Sequence, residues 1–148
     1  MHGELTQSQI DEVLYARSVG HLGCQMQGKM YIFPINYVYD GENIYANTLD
    51  GSKLRMMRLY PEVCFQVDQR ENSANWSSVI IWGTFQELKE EEAARACNLL
   101  IKQFVTLIAS GESLHEMKIE DYTQTCTDII VYRIHVTEKV GRFEQSYY

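Results

Sequence analysis

The sequence predicts a mainly β, α+β domain: a small antiparallel barrel of about six strands with helices packed outside it. From His21 onward the apolar period changes from helical to two, most plainly at Tyr31, Phe33, Ile35, Tyr37 and Tyr39. Short runs of this kind recur at even spacing, separated by turn residues such as Gln27-Gly28-Lys29 and Asp40-Gly41-Glu42-Asn43. Two substantial helical patterns lie outside these runs, one beginning at Thr6 and one at Lys89. At 148 residues and 45% hydrophobic, the chain fits a single domain, residues 1–148, with its own core. Tyr31 to Gly83 is expected to be the antiparallel heart of it.

Thr6-Gln7-Ser8-Gln9 has the hydroxyl and the glutamine of a capping box. Ile10, Val13 and Leu14 follow at helical spacing, so Thr6 to Ser18 is predicted helical, with Gly20 stopping it. His21 to Met26 is a short strand. Met30 to Tyr39 is a longer one, with Ile32, Pro34, Asn36 and Val38 on its second face. Both faces are substantially apolar, so both are expected to be covered. Pro34 cannot donate to a ladder, which assigns part of this strand to an edge or a bulge. Ile44 to Thr48 returns from the hairpin. Asp50-Gly51-Ser52 ends it and caps a two-turn helix, Lys53 to Leu59, which Pro61 closes. Val63 to Val67 reads as a strand, Asp68 to Asn75 as a polar loop, and Trp76 to Leu88 as a long strand interrupted at Gly83. Lys89 to Ala109 is the longest helix, with Ala93, Ala96, Cys97, Leu100, Phe104, Leu107 and Ile108 along one side. Gly111 to Gln124 is irregular or a helical turn, Asp128 to Val136 a last strand, and Thr137 to Tyr148 a polar tail.

Composition excludes several classes of function. With 13 basic against 20 acidic residues the net charge is −7, which argues against a nucleic-acid or acidic-membrane binder. No apolar run approaches the roughly 20 residues of a membrane span. Met1 to Thr6 has neither a basic nor an apolar region, so no secretory signal is expected, and the predicted location is cytoplasmic. Cys24, Cys64, Cys97 and Cys126 are dispersed with no C-x-x-C, and read as buried small hydrophobes in a reducing compartment. In their apolar strands, Cys24 and Cys64 are expected to have raised thiol pKa values. His2, His21, His115 and His135 show no metal-binding spacing, and no metal is expected. His21 and His135 read as strand histidines with local hydrogen bonds. No Ser-His-Asp, Cys-His or paired-carboxylate arrangement is evident, so no catalytic side chain is assigned.

One segment concentrates chemistry. Lys53, Arg55 and Arg58 fall within six residues and follow Asn47-Thr48-Leu49-Asp50-Gly51-Ser52, which runs from a strand end into a helix start. A helix N-terminus exposes unpaired N–H groups and the positive end of its dipole. Gly51 permits close backbone approach, Thr48 and Ser52 add hydroxyls, and Lys53 adds a charge. These are the parts of a phosphate site. They are equally the parts of an ordinary turn leading into a capped, solvated helix, and the residues alone leave both open. The tyrosine row Tyr31, Tyr37, Tyr39 and Tyr45 reads as cross-strand packing, and Trp82 as core or interface packing.

An ordered set of segments goes further. Gly20 to Gly23, Tyr31 to Gly41, Ile44-Tyr45, Gly51 to Leu54, Pro61 to Asp68 and Trp76 to Gly83 together resemble the pyridoxamine-5′-phosphate-oxidase-related family of flavin-binding split barrels. Within it they are most similar to the branch containing nitroimidazole-resistance proteins. The resemblance spans about Gly20 to Leu88. It implies a six-stranded antiparallel split β-barrel with flanking helices, and a homodimer with the flavin at its interface. Phe33, Pro34, Ile35, Asn36 and Tyr37 would lie along the isoalloxazine. Asn47, Thr48, Ser52, Lys53 and Leu54 would meet the ribityl chain and phosphate. Trp76, Ser77, Ser78 and Val79 would meet the ring edge or ribityl hydroxyls. The implied cofactor is FMN, with FAD the alternative and haem less favoured. The implied activity is an FMN-dependent reductase, taking hydride from a nicotinamide nucleotide and passing electrons to a small acceptor such as a nitroaromatic. The alternative is a non-catalytic flavin- or haem-binding carrier. Two departures qualify the resemblance. Asn47 stands where nitroimidazole-resistance relatives often carry histidine, so histidine-dependent chemistry is not implied. The tail Gly141 to Tyr148 does not resemble the Trp- and Arg-bearing closure of true pyridoxamine phosphate oxidases, so vitamin B6 oxidation is not expected.

Overall fold

The computed structural model describes residues 1–49, 51–109 and 130–146. In chain order the elements are β1 (His2–Glu4), α1 (Gln7–Ala16), β2 (Val19–Met26), β3 (Lys29–Asn36), β4 (Val38–Tyr39), β5 (Asn43–Thr48), α2 (Ser52–Leu59), β6 (Glu62–Asn72), β7 (Asn75–Glu87), α3 (Glu90–Ala109) and β8 (Ile130–Glu144). All strand pairings are antiparallel, in the order β3-β2-β6-β7-β8-β5-β4, with β1 on the far half of β8. The sheet thus has eight strands rather than six. β1 is new, and the expected strand Met30–Tyr39 is two. The segments expected at Gly111–Gln124 and at the start of the last strand, with His115 and Cys126, lie outside the described residues.

The break at Tyr37 makes this sheet a split barrel. β3 and β4 are the two ends of the strand order, yet they are consecutive in the chain. One kinked segment therefore joins both edges and wraps the sheet on itself. Tyr37 is the pivot because all its polar groups are engaged away from a ladder. Its hydroxyl donates to the Leu14 carbonyl at 2.7 Å and its N–H donates to the Ser18 carbonyl at 3.0 Å. Its own carbonyl accepts from Gln103 Nε2 at 2.6 Å. Pro34 sits on β3, which pairs only with β2, so its missing donor is tolerated on an edge strand.

Local signals account for several boundaries. Thr6 Oγ1 accepts from the Gln9 N–H at 3.2 Å, and Gln9 Oε1 accepts from the Thr6 N–H at 2.8 Å, completing the capping box of α1. The helix ends at an extended Arg17 rather than at Gly20. Gly20 instead belongs to β2, where the Phe65 ring fills its side-chain position, and a Cβ there would stand 2.2 Å from Phe65 Cζ. Gln27 and Gly28, with φ of 51° and 79°, form the tight turn into β3. Asp40 Oδ1 accepts from the N–H groups of Glu42 and Asn43 at 2.9 and 2.7 Å, and this holds the next turn.

Two polar stretches are strand, contrary to the sequence expectation. Asp68 to Asn72 continues β6 and pairs with β7 as far as Asn72↔Asn75, so the expected loop shrinks to Ser73-Ala74. Thr137 to Glu144 continues β8, bonded to β7 on one side and to β1 on the other. Polar residues suffice here because the ladder, not burial of both faces, fixes the backbone. Gly83 does not interrupt β7. It faces a bulge in β8, where Trp82 pairs with Glu138 and Gly83 with Val136, and a Cβ at Gly83 would stand 2.4 Å from the His135 carbonyl oxygen.

The main core gathers Ile10, Val13 and Leu14 of α1 with Leu22, Ile44, Phe65, Ile81, Tyr132 and Ile134. α3 buries Ala96 and Leu100 against Leu88 and Val131 in a second cluster. Among the described residues of this chain nothing covers the outer face of β3-β2-β6-β7, whereas both faces of the Met30–Tyr39 segment were expected to be covered. Ile32 aligns with Gly23, Cys64 and Trp82, and Pro34 with His21, Gln66, Ile80 and Val140. Ile32 is 73% exposed and Trp82 40%. Among the described residues no helix is long and apolar enough to cross a membrane.

Candidate functional site

β5 delivers Asn47 and Thr48 to the mouth of the split, and α2 starts directly beyond them. Gly51 is the N-cap residue, and among the described residues no side chain caps the helix; Asp50, part of the expected cap, lies outside them. The first intrahelical bond is Arg55 N–H to Gly51 O at 3.1 Å. The amides of Ser52, Lys53 and Leu54 therefore precede the ladder and point out of the helix end. A Cβ on Gly51 would find only the Leu49 carbonyl oxygen at 4.0 Å among the described residues, so the space beside this N-cap position is not filled by them. Thr48 turns its hydroxyl to the Leu49 carbonyl at 3.0 Å.

Lys53 is the unusual group. It is half-buried, and its Nζ stands 5.4 Å from the centroid of the Phe33 ring on the edge strand. No carboxylate lies within ion-pair distance of it among the described residues. Loss of hydration lowers its pKa, and the nearby Cys24 thiol pulls weakly the other way. Burial pushes the Cys24 thiol up to about 11, opposed by the Lys53 charge, so this cysteine is a core residue and not a nucleophile. A partly desolvated cation with no carboxylate partner among the described residues, at a helix start, has the chemistry to accept an anion. Those residues fit a phosphate group, and the unpaired edge of β3 beside them offers backbone donors and acceptors to a planar ring.

The other expected site residues divide. Pro34 and Asn36 are exposed on the outer face of β3. Ile35, Tyr37 and Leu54 are buried in the core, so Ile35 and Leu54 can offer a ligand only backbone, and the polar groups of Tyr37 are already spent. Trp76, Ser77, Ser78 and Val79 open β7, with β2 and β6 between them and β3. That separation is roughly 14 Å at ordinary strand spacing. One chain therefore does not bring the two groups together. At β7, Trp76 Nε1 donates to Glu144 at 3.2 Å, and Ser78 Oγ accepts from Gln66 Nε2 at 3.0 Å. Gln66 Oε1 in turn meets His21 Nδ1 at 3.3 Å, giving a polar ladder across the bare outer face. His135 Nδ1 likewise meets Asn43 Oδ1 at 3.2 Å, the local bonding expected of both histidines. Lys29, expected in a turn, begins β3, and Tyr31, expected as cross-strand packing, packs on the core; both continue the edge strip from Phe33. The alternation Lys-x-Tyr-x-Phe carried the signal, but nothing in it told which edge would be free.

The pyridoxamine 5′-phosphate oxidase family profile matches residues 6–143. An uncharacterised protein of Rhizobium meliloti is 30% identical over 84 residues, which are 57% of this chain and 56% of that one; the match thus spans little more than half of the relative's length. A FAD-binding protein from Mesorhizobium loti shares the fold with a TM-score of 0.75 at 24% identity, over 98% of this chain and 99% of that one. A candidate 5-nitroimidazole antibiotic resistance protein from Bacteroides thetaiotaomicron shares it with a TM-score of 0.72 at 15% identity, over 97% and 87% of the two chains. The split barrel, the order of its strands and a family match across nearly the whole chain agree: this chain belongs to the pyridoxamine 5′-phosphate oxidase family.

Proposed function

We propose that this chain is a flavin-binding oxidoreductase, a reductase of small acceptors such as nitroaromatics with a nicotinamide nucleotide as electron donor. The observation that carries the proposal is Lys53: a half-buried ammonium that has, among the described residues, neither a carboxylate partner nor a side chain capping its helix, beside the edge strand β3. Riboflavin 5′-phosphate is the ligand these parts account for. FMN is that ligand, and FAD contains it. Lys53 and the amides of Ser52 to Leu54 would hold the phosphate, Asn47 and Thr48 the ribityl chain, and the edge of β3 from Phe33 to Asn36 the ring. When bound, the flavin supplies hydride acceptance and electron delivery, so the protein needs to contribute position and hydrogen bonds and no side-chain acid or base.

The active form in this proposal is a homodimer. Two features support it. The exposed outer face of β3-β2-β6-β7, where Ile32, Ile80 and Trp82 flank the His21–Gln66–Ser78 ladder, is the kind of surface that pairs with a second copy. In addition, Trp76 to Val79 stand too far from β3 to meet the same ring within one chain, whereas a partner's copies could reach it across that face. The deciding experiment is the absorbance spectrum of the purified protein with identification of the released cofactor, followed by turnover with reduced nicotinamide nucleotides and a nitroaromatic acceptor. Bound flavin with turnover is expected. Bound flavin without turnover from any donor would leave a carrier, and colourless protein that takes up no added flavin would end the proposal. Sedimentation of the flavin-loaded protein as a monomer would remove the interface.

A further inference from the structure

We propose that the cleft where the far ends of β6, β7 and β8 meet α1 binds a small aromatic carboxylate, held by the guanidinium groups of Arg17 and Arg70. The cleft encloses about 540 Å³, the size of a small-molecule site. Side chains alternate across a strand, so Gln69 and Ser77 follow the buried Val67 and Val79 on the inner face of the sheet, and Phe143 follows Gly141. At Gly141 this face is sealed by Leu5 and Ile10, whose side chains stand 2.7 and 3.0 Å from where a Cβ would be. One row further out, at Gln69, Ser77 and Phe143, the cleft opens. It goes beyond the flavin reading, because it lies on the face opposite the His21–Gln66–Ser78 ladder and uses neither Lys53 nor β3.

The polar groups of this cleft are unspent. Gln69 and Ser77 are half-buried and directly opposite each other, yet neither side chain has a hydrogen bond among the described residues; on the other face, Gln66 and Ser78 bond to each other at 3.0 Å. Arg17 and Arg70 line the cleft, and neither has a carboxylate within ion-pair distance among the described residues. Burial raises the pKa of the Tyr37 hydroxyl and the charge of Arg17 opposes that rise, which sets this guanidinium towards the inner side. Glu71 and Glu144 border the cleft as well, and Glu144 accepts from Trp76 Nε1 at 3.2 Å. A guanidinium fork meets a planar carboxylate in a two-pronged bond, Gln69 and Ser77 add neutral donors, and the Phe143 ring offers an aromatic body a wall to pack on. With two bordering carboxylates against two arginines, the cleft suits an anion of single charge better than a dianion.

The test titrates the protein, in the presence of saturating FMN, with benzoate, benzamide and benzamidinium, three ligands of one shape and three charges, followed by NMR. Benzoate is expected to bind about tenfold more tightly than benzamide, and benzamidinium most weakly. Arg17→Gln and Arg70→Gln should each weaken benzoate about fivefold and leave benzamide within about twofold. Glu71→Gln should tighten benzoate by up to about threefold. If the two arginines are only solvated surface charges, the three probes bind alike and neither arginine variant matters, which overturns the proposal; so do a preference for benzamidinium and the absence of benzoate binding. Benzoate that binds only without FMN would give the cleft to the flavin, ending the proposal while the flavin reading stands. Protein that takes up no FMN but ranks the three probes as expected would end the flavin reading and leave this site in place.

Discussion

Replacing Lys53 by methionine separates a ligand-binding cation from a structural one, because the two roles predict opposite signs. Methionine keeps an apolar stem near the Phe33 ring and removes the ammonium that stands 5.4 Å from its centroid. In the free protein that ammonium is partly desolvated and has no carboxylate partner among the described residues. Such a charge opposes folding, so the variant should equal or exceed wild type in its urea midpoint. Against a phosphate the same ammonium should contribute about 1–3 kcal/mol, the scale of a charge-assisted hydrogen bond. That is a loss of roughly five- to 150-fold in flavin affinity, measured by equilibrium titration. The pH dependence checks the assignment. Burial lowers the Lys53 pKa from its ordinary 10.5, so the unfolded chain holds this proton to higher pH than the folded one. Its unfavourable contribution to stability is full below the lowered pKa and is relieved as pH rises from there towards 10.5. Flavin phosphate favours the charged lysine, so affinity should fall across the same window in wild type and stay flat there in the variant. Unchanged affinity in Lys53→Met would remove the phosphate assignment. Parallel losses of stability and affinity would make Lys53 a structural residue instead.

Gly20→Ala should destabilise the fold by about 1–3 kcal/mol, because the new Cβ would stand 2.2 Å from Phe65 Cζ and 2.9 Å from the Gln66 carbonyl oxygen; an unshifted denaturation midpoint would contradict that packing. Tyr132→Phe should be neutral or stabilising by up to about 1 kcal/mol, since the Tyr132 hydroxyl is fully buried and has no hydrogen-bond partner among the described residues; a loss beyond that in chemical denaturation would show that the hydroxyl is bonded. Ile32→Glu should leave the far-UV spectrum intact while converting the proposed dimer to monomer, because it sets a charge at the most exposed apolar side chain of the outer face of β3-β2-β6-β7; a sedimentation coefficient that stays dimeric would rule that face out as the interface.

What was legible in the sequence was local. The capping box at Thr6, the hairpin turn at Asp40, the alternation of β3 and the spacing of α3 as far as Phe104 each rest on residues within a few positions of one another, and each has its expected form; Ile108, expected on the same side of α3, is exposed. The loop from Asn47 into α2 was equally readable in its parts, with Gly51 as the N-cap residue and Asp50 outside the described residues.

What tertiary structure decided depends on pairing between distant segments. Asp68 to Asn72 and Thr137 to Glu144 are too polar to announce strands, and they become strands only because β7 supplies a ladder partner to both. The alternation of Met30 to Tyr39 shows no break, yet Leu14, Ser18 and Gln103 take up every polar group of Tyr37 and fold the strand at that point. The same closure leaves one edge of β3 unpaired beside Lys53 and sets Trp76 to Val79 three strand spacings away. The sequence by itself determined which residues are equipped to meet a phosphate and a ring, because hydroxyl, amide and charge are properties of single side chains and short turns. Only the tertiary structure decided which edge stays open to them and which of them one chain can bring together, because both follow from the order in which distant strands satisfy one another's backbone hydrogen bonds.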